Sequence, residues 1–169
     1  MADLSVDPLI KQLGDALAPL FDGADHPVIV GIETGGYWIA QTLHQRLRPN
    51  TELGKLNITF YRDDYTKVGL HPTVKPSSLP TDIDGKTIVL VDDVLYSGRT
   101  VRAAMNELFD YGRPERILLA ILIDRGGREL PIQPDYTGQT INLDKGEEIK
   151  LDGPAPFTLR IQQIDDARH

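Results

Sequence analysis

Asp92 and Asp93 stand a short step ahead of a second cluster, Ser97, Gly98, Arg99 and Thr100. The second cluster suits a phosphate. If a helix begins there, its first backbone N–H groups lack partners and its dipole favours an anion. Gly98 lets the backbone come close, and Ser97 and Thr100 add hydroxyl donors. The two carboxylates upstream would repel a phosphate, unless they hold another part of the same ligand. A sugar diol answers that need, because its hydroxyls donate to carboxylate oxygens. Together the two clusters read as a site for a ribose carrying a 5-phosphate. A Mg²⁺ ion bridging through hydroxyls or water would ease the repulsion between the acids. The plainer alternative makes Asp92 and Asp93 a strand-end turn and Ser97 a helix cap. The apolar strand before the acids and the helix after them favour the ligand. Two rival nucleotide motifs fail. A phosphate-binding Walker loop ending at Thr100 needs glycine at 93 and lysine at 99, where the chain has Asp93 and Arg99. A dinucleotide fingerprint starting at Gly31 needs glycine at 33, where the chain has Glu33.

The elements around these residues alternate in type. Leu9, Ile10, Leu13, Leu17 and Leu20 fall at helical spacing and predict a helix over 7–21. Val28 to Ile32 is an apolar, β-branched run that predicts a buried strand. A turn at 33–36 leads to a second helix through Ile39, Leu43 and Leu47, stopping before Pro49. Leu56 to Tyr61 alternates like a strand. Residues 62–82 carry three prolines and little periodicity, a long loop of the kind that is often functional. Thr87 to Val91 predicts a strand and 92–98 a loop. Val101, Ala104, Met105 and Leu108 predict a helix, and Arg116 to Ile123 a fourth strand. From 124 onward, glycines and prolines predict short strands or hairpins. Such alternation predicts an α/β fold with a central, mostly parallel sheet flanked by helices. Ligands in such sheets bind beyond the carboxyl ends of the strands, where the loops 33–36, 92–98 and 124–128 emerge.

The bulk properties agree with one domain spanning 1–169. No cysteine is present, which excludes disulfides and thiolate chemistry and suits a reducing cytoplasm. No apolar run nears the roughly 18–20 residues of a membrane span. Met1 to Lys11 has no basic stretch leading into an apolar one, so a signal peptide is not expected. Net charge is −7, against the basic excess usual for backbone-driven nucleic-acid binding. His26, His44, His71 and His169 lack metal-type spacing and read as structural or solvated. Trp38 reads as packing or interface, and the acidic run at 144–152 as a solvated face. Arg125 and Arg128 read equally well as surface arginines in a glycine-rich turn.

Residues 88–101 resemble the PRPP (5-phosphoribosyl 1-diphosphate) motif of type I phosphoribosyltransferases. Four segments, Tyr61–Asp64, Asp93–Ala104, Tyr111–Pro114 and Asp124–Ile132, are similar to one branch. That branch is the PyrR family, pyrimidine operon regulators that are also uracil phosphoribosyltransferases. The resemblance implies a type I phosphoribosyltransferase fold with a flexible lid loop at about 62–82 and a small hood from about 124–169. Asp92, Asp93 and the lid residue Arg62 would form the catalytic set, the two acids holding the ribose hydroxyls. Tyr96, Ser97, Gly98, Arg99 and Thr100 would cradle the 5-phosphate. Thr34, Gly35 and Gly36 would wrap the pyrophosphate, accompanied by Mg²⁺ with no dedicated protein ligand assigned. Asp124 and Arg125 would receive uracil. The expected ligands are uracil, PRPP, and UMP or UTP, in a homodimer or tetramer. Many purine members have aspartate where this chain has Tyr96, which suits an imidazole nitrogen that uracil lacks. RNA-binding regulators often show a Lys-Thr-Arg-Gly pattern in the pyrophosphate loop, whereas this chain has Glu33 and Gly35 at the two basic positions. That departure, with the net charge, disfavours RNA as a partner. The implied activity is uracil plus PRPP to UMP plus pyrophosphate. The alternative is a uridine-nucleotide sensor regulating pyrimidine genes through RNA or another protein.

Overall fold

The computed structural model describes residues 4–58, 77–80, 82–154 and 156–164. The chain opens with α1 (Val6–Leu17), which buries Val6, Leu9, Ile10, Leu13 and Leu17 on one face. The predicted helix ran on to residue 21, but the α-helical ladder ends at Leu17. Pro19 has no N–H to continue it, and Ala18–Phe21 turns as a 3₁₀ segment instead. Then come β1 (Val28–Ile32), α2 (Gly35–Leu47), β2 (Gly54–Leu56), β3 (Thr87–Leu95), α3 (Arg99–Tyr111), β4 (Arg116–Asp124), β5 (Tyr136–Thr140), β6 (Glu147–Asp152) and β7 (Thr158–Gln163).

β1 to β5 form one sheet in the order β2-β1-β3-β4-β5. Every neighbouring pair runs parallel. Parallel strands covered on both faces read as continuous apolar runs, and all five residues of β1 are buried. The pleat then sorts side chains by parity. Ile29, Val89, Val91, Ala120 and Leu122 face α1 and α2. Val28, Val30, Ile88, Leu90, Leu119 and Ile121 face α3. Each such valine, leucine or isoleucine taken fully from water stabilises by about 1.5–3 kcal/mol, so the sheet is the anchor for every loop at its rim.

Two boundaries differ from the sequence reading. β2 is shorter and earlier than the expected Leu56–Tyr61: the Asn57 N–H donates to Ser77 Oγ at 2.9 Å rather than to a strand, and residues 59–61 lie outside the described residues. β3 is longer than expected. It pairs with β4 as far as Leu95 and Asp124, which carries Asp92 and Asp93 inside the strand rather than in a loop. Of the expected lid, 62–76 and 81 lie outside the described residues, Arg62 among them. Its last part is tied down: Ser78 and Lys55 exchange backbone hydrogen bonds of 2.7 and 2.8 Å.

The turn-rich tail yields β5 and an antiparallel β6–β7 hairpin. Ile149, Leu151, Leu159 and Ile161 pack on the α1–α2 side of the core. The acidic run does lie partly on a strand face, where Asp152 pairs with Arg160 and Glu148 with Lys150. Trp38 of α2 meets the ring of Phe157, with centroids 6.4 Å apart, so it serves packing.

Candidate active site

Strand order reverses between β1 and β3, since β2 lies on one side of β1 and β3 to β5 on the other. The loops leaving β1 and β3 therefore diverge to opposite faces, opening a crevice at their carboxyl ends. The two sequence clusters meet there.

Asp92 is buried, at 6% exposure. Its Oδ1 accepts the Asp93 N–H at 2.8 Å, and Asp93 Oδ1 accepts the Val94 N–H at 2.8 Å. Asp93 is half-buried and abuts the loop after β1. A Cβ on Gly35 would stand 2.2 Å from Asp93 Oδ2. One on Gly36 would stand 2.6 Å from the Val91 carbonyl oxygen and 2.8 Å from Asp92 Cα. These two glycines are thus required by close approach of α2 to β3. Thr34 is exposed at the crevice rim, ahead of α2. The acid in this loop, Glu33, faces Lys55 of β2 at 3.6 Å, and the same ammonium lies 5.5 Å from the Tyr37 ring centroid. Its charge is therefore compensated locally.

The loop from β3 to α3 is only Tyr96 to Gly98. Gly98 has φ +94°, a left-handed conformation that disfavours a side chain, and packs against Ile132. The Arg99 N–H donates to Ser97 Oγ at 3.2 Å, a local turn bond. The N-cap of α3 is Gly98, which has no side-chain cap bond, so Ser97 is not the helix cap of the plainer reading. The Arg99 guanidinium turns outward to Glu129 at 2.9 Å, both side chains more than half exposed. What this loop presents to a ligand is chiefly backbone N–H at the start of α3, plus the exposed Thr100.

The segment after β4 folds back over this loop. Ser97 carbonyl oxygen accepts from the Glu129 and Leu130 N–H groups at 2.9 and 3.1 Å, and Leu95 carbonyl from Arg125 N–H at 3.1 Å. The Arg125 guanidinium carbon lies 4.0 Å from the Tyr96 ring centroid, a cation–π contact. Its Nε is buried without a hydrogen-bond partner. Gly127, at φ +92°, leaves room for the Tyr96 ring, which a Cβ would meet at 2.6 Å. Asp124 Oδ1 accepts the Gly126 N–H at 3.0 Å, and Oδ2 accepts Arg128 Nη2 at 2.7 Å. The Arg128 guanidinium, with the Gly126 N–H, holds the Asp124 carboxyl below its ordinary value against the opposing pull of burial. Arg128 is no surface arginine, its side chain being 15% exposed. The only cue to it in the sequence was its place in a glycine-rich turn, four residues after Asp124.

The donor set bears on a metal. Among the described residues no group of three or more His, Asp or Glu converges. Asp92 and Asp93 offer hard carboxylate oxygens beside the glycine cradle. This fits Mg²⁺, which binds through one or two carboxylates plus substrate oxygens and water rather than in an all-protein cage. His26 Nδ1 accepts the Asn50 N–H, and His44 Nε2 lies 2.9 Å from the Thr51 carbonyl, both structural as expected.

Comparison with known proteins agrees. The phosphoribosyl transferase domain matches residues 6–152. A bifunctional protein PyrR of Pseudomonas aeruginosa is 54% identical over 160 residues, covering 94% of each chain. One of Nitrosococcus oceani is 48% identical over 166 residues, 96% of this chain and 94% of its own. Among solved structures, a hypoxanthine-guanine phosphoribosyltransferase of Bacillus anthracis superposes with a TM-score of 0.66 at 19% identity, over 83% of this chain and 84% of its own. A hypoxanthine phosphoribosyltransferase of Staphylococcus aureus gives 0.62 at 20% identity, over 82% and 74%. The last two bear on the fold alone. From the crevice geometry, the domain match and the full-length identity, the chain belongs to the PyrR family of the phosphoribosyl transferase domain.

Proposed function

We propose that the protein transfers a 5-phosphoribosyl group from PRPP to uracil, giving UMP and pyrophosphate. The observation that carries this is the meeting of an acid pair, a glycine cradle and a helix start at one strand-end crevice. The α3 N-terminal N–H groups and Thr100 hold the 5-phosphate, while Asp92 and Asp93 accept the ribose hydroxyls. The Thr34–Gly36 backbone faces the pyrophosphate. Arg125 and Tyr96 wall the base, and Asp124 serves by fixing that wall. Asp92 and Asp93 would hold Mg²⁺ through ribose hydroxyls or water, and the ion supplies charge neutralisation to the leaving group. The bond from sugar C1 to pyrophosphate breaks with its electron pair leaving on oxygen, as uracil N1 bonds to C1 and gives up its proton to solvent or to the departing pyrophosphate. Such an oxocarbenium-like passage depends on positioning and water exclusion more than on a strong base. Tyr96, in place of an acid, favours a pyrimidine. Arg62, which lies outside the described residues, is the further member of the catalytic set that the family resemblance implies. The chemistry and the lack of cysteine suit the cytoplasm. Formation of labelled UMP from uracil, PRPP and Mg²⁺, with hypoxanthine and guanine as controls, tests this. Product from purines only would overturn it.

The relatives are named bifunctional, which favours a second reading beside the first: a uridine-nucleotide-responsive regulator of pyrimidine genes. Titration with the protein's own pyrimidine leader RNA and a scrambled control, with and without UMP, decides it. Tight, sequence-dependent binding strengthened by UMP supports regulation through RNA. Equal weak binding to both RNAs counts against it.

A further inference from the structure

We infer that Arg128 is a positioning residue that locks the phosphate loop to the base-facing segment, setting the distance between the two substrates. This rests on the transferase reading above. The guanidinium is fixed at three points. Nε donates to the Ile132 carbonyl at 2.7 Å, Nη1 to the Tyr96 carbonyl at 3.0 Å and Nη2 to Asp124 Oδ2 at 2.7 Å. Tyr96 opens the loop that presents phosphate donors. Asp124 ends β4, and Ile132 packs on Gly98 at the start of α3. One planar group thus ties the Tyr96 loop and the Ile132 stretch to Asp124, just where the β3–β4 ladder ends at Leu95 and Asp124. Its side chain is 15% exposed and that of Asp124 16%, so neither is a surface pair loosened by solvent. Two further bonds, from the Glu129 and Leu130 N–H groups to the Ser97 carbonyl, run across the same seam and depend on its register. A lysine cannot replace this group, for an ammonium is one point and the three acceptors need a rigid fork.

The phosphate and the base then share one frame. Loosening it weakens capture of both substrates together, a raised KM for each. A merely structural loss lowers the folded fraction, which reduces the apparent kcat and leaves each KM unchanged. The experiment compares wild type, Arg128→Ala, Arg128→Lys and Asp124→Asn in the UMP-forming assay, with PRPP binding by calorimetry. Hydrogen exchange at the Glu129 and Leu130 amides reports the seam itself. Arg128→Ala is expected to raise KM for PRPP and for uracil at least tenfold each, with faster exchange at both amides. Arg128→Lys should behave like the alanine variant. Free guanidinium at millimolar concentration should recover part of the loss in alanine and none in lysine. Asp124→Asn, which keeps one of the two acceptor oxygens and leaves the Arg128 bonds to Ile132 and Tyr96 in place, should change each KM by less than Arg128→Ala does. Unchanged KM values in Arg128→Ala, or a lysine variant equal to wild type, would overturn the inference. If wild type itself forms no UMP, the transferase reading fails. The seam is then judged by PRPP calorimetry and amide exchange, where values equal to wild type in Arg128→Ala sink it too.

Discussion

Asp92 and Asp93 divide one task between two environments. Asp92 is buried and tied to the next backbone N–H; Asp93 stands half-buried against the glycine cradle. Replacing either with asparagine exchanges a charged acceptor for a neutral one, so Asp92→Asn and Asp93→Asn are expected to weaken PRPP binding by about 1–3 kcal/mol. Calorimetry with PRPP and Mg²⁺ measures this, and wild-type affinity in both variants would remove the ribose assignment. Asp124 belongs to a different kind of pair. Arg128 holds its carboxyl below the ordinary value in the folded protein. An unfolded carboxyl titrates at about 3.9, so on acidification the unfolded state takes up the proton first. The pair's contribution is full above that pH and drains as pH falls through the lowered folded value. Urea midpoints followed from about pH 6 to 2.5, across that carboxyl range, should fall more steeply for wild type than for Asp124→Asn. Parallel curves would show that the pair adds nothing to acid stability.

At the level of elements, the crevice exists because α2 and β3 touch through glycine. Gly36 is buried with its missing Cβ aimed at the Val91 carbonyl and Asp92 Cα. Neither neighbour is a flexible side-chain end, so a methyl group there pushes helix from strand. Overpacking of this kind costs about 1–3 kcal/mol. Gly36→Ala is expected to lose that much in chemical denaturation and to lose PRPP affinity as well, since Asp92 must shift. An alanine variant with wild-type stability and affinity would mean that helix and strand have slack. The short Tyr96–Gly98 loop works in the same way. Gly98 holds φ +94° and Ile132 covers it, so the start of α3 is aimed by a turn that few other residues can adopt.

Over the whole molecule, charge separates the two proposed activities. Lysine and arginine number 18 against 25 aspartate and glutamate. Several of the cations are also engaged: Arg99 with Glu129, Arg128 with Asp124, Arg160 with Asp152 and Lys55 with Glu33. A protein that neutralises several phosphates binds with an affinity that falls steeply as salt rises. At about 0.15 M salt, a physiological ionic strength, RNA binding is expected to be weak and indifferent to sequence. Fluorescence anisotropy across a salt series reads both properties. Tight binding to the leader RNA and not to a scrambled one would place regulation first.

The parallel α/β architecture was legible because the apolar runs at 28–32, 87–91 and 116–123 are too continuous for half-exposed strands, and helical spacing lies between them. The acid pair and the Ser97–Thr100 cluster were legible for a similar reason: residue type and local order suffice to describe a helix start beside carboxylates. Local order could not say that β3 runs on through Asp93, because that depends on pairing with β4 as far as Asp124. Nor could it reveal the glycine contacts with Asp92 and Asp93 or the burial of Arg128, since the partners lie far apart along the chain. Glu33 looked like a lost cation in the sequence, and the fold sets Lys55 beside it. Short-range chemistry is written in neighbouring residues; which distant groups satisfy, crowd or neutralise one another is decided only when the sheet brings its strand ends together.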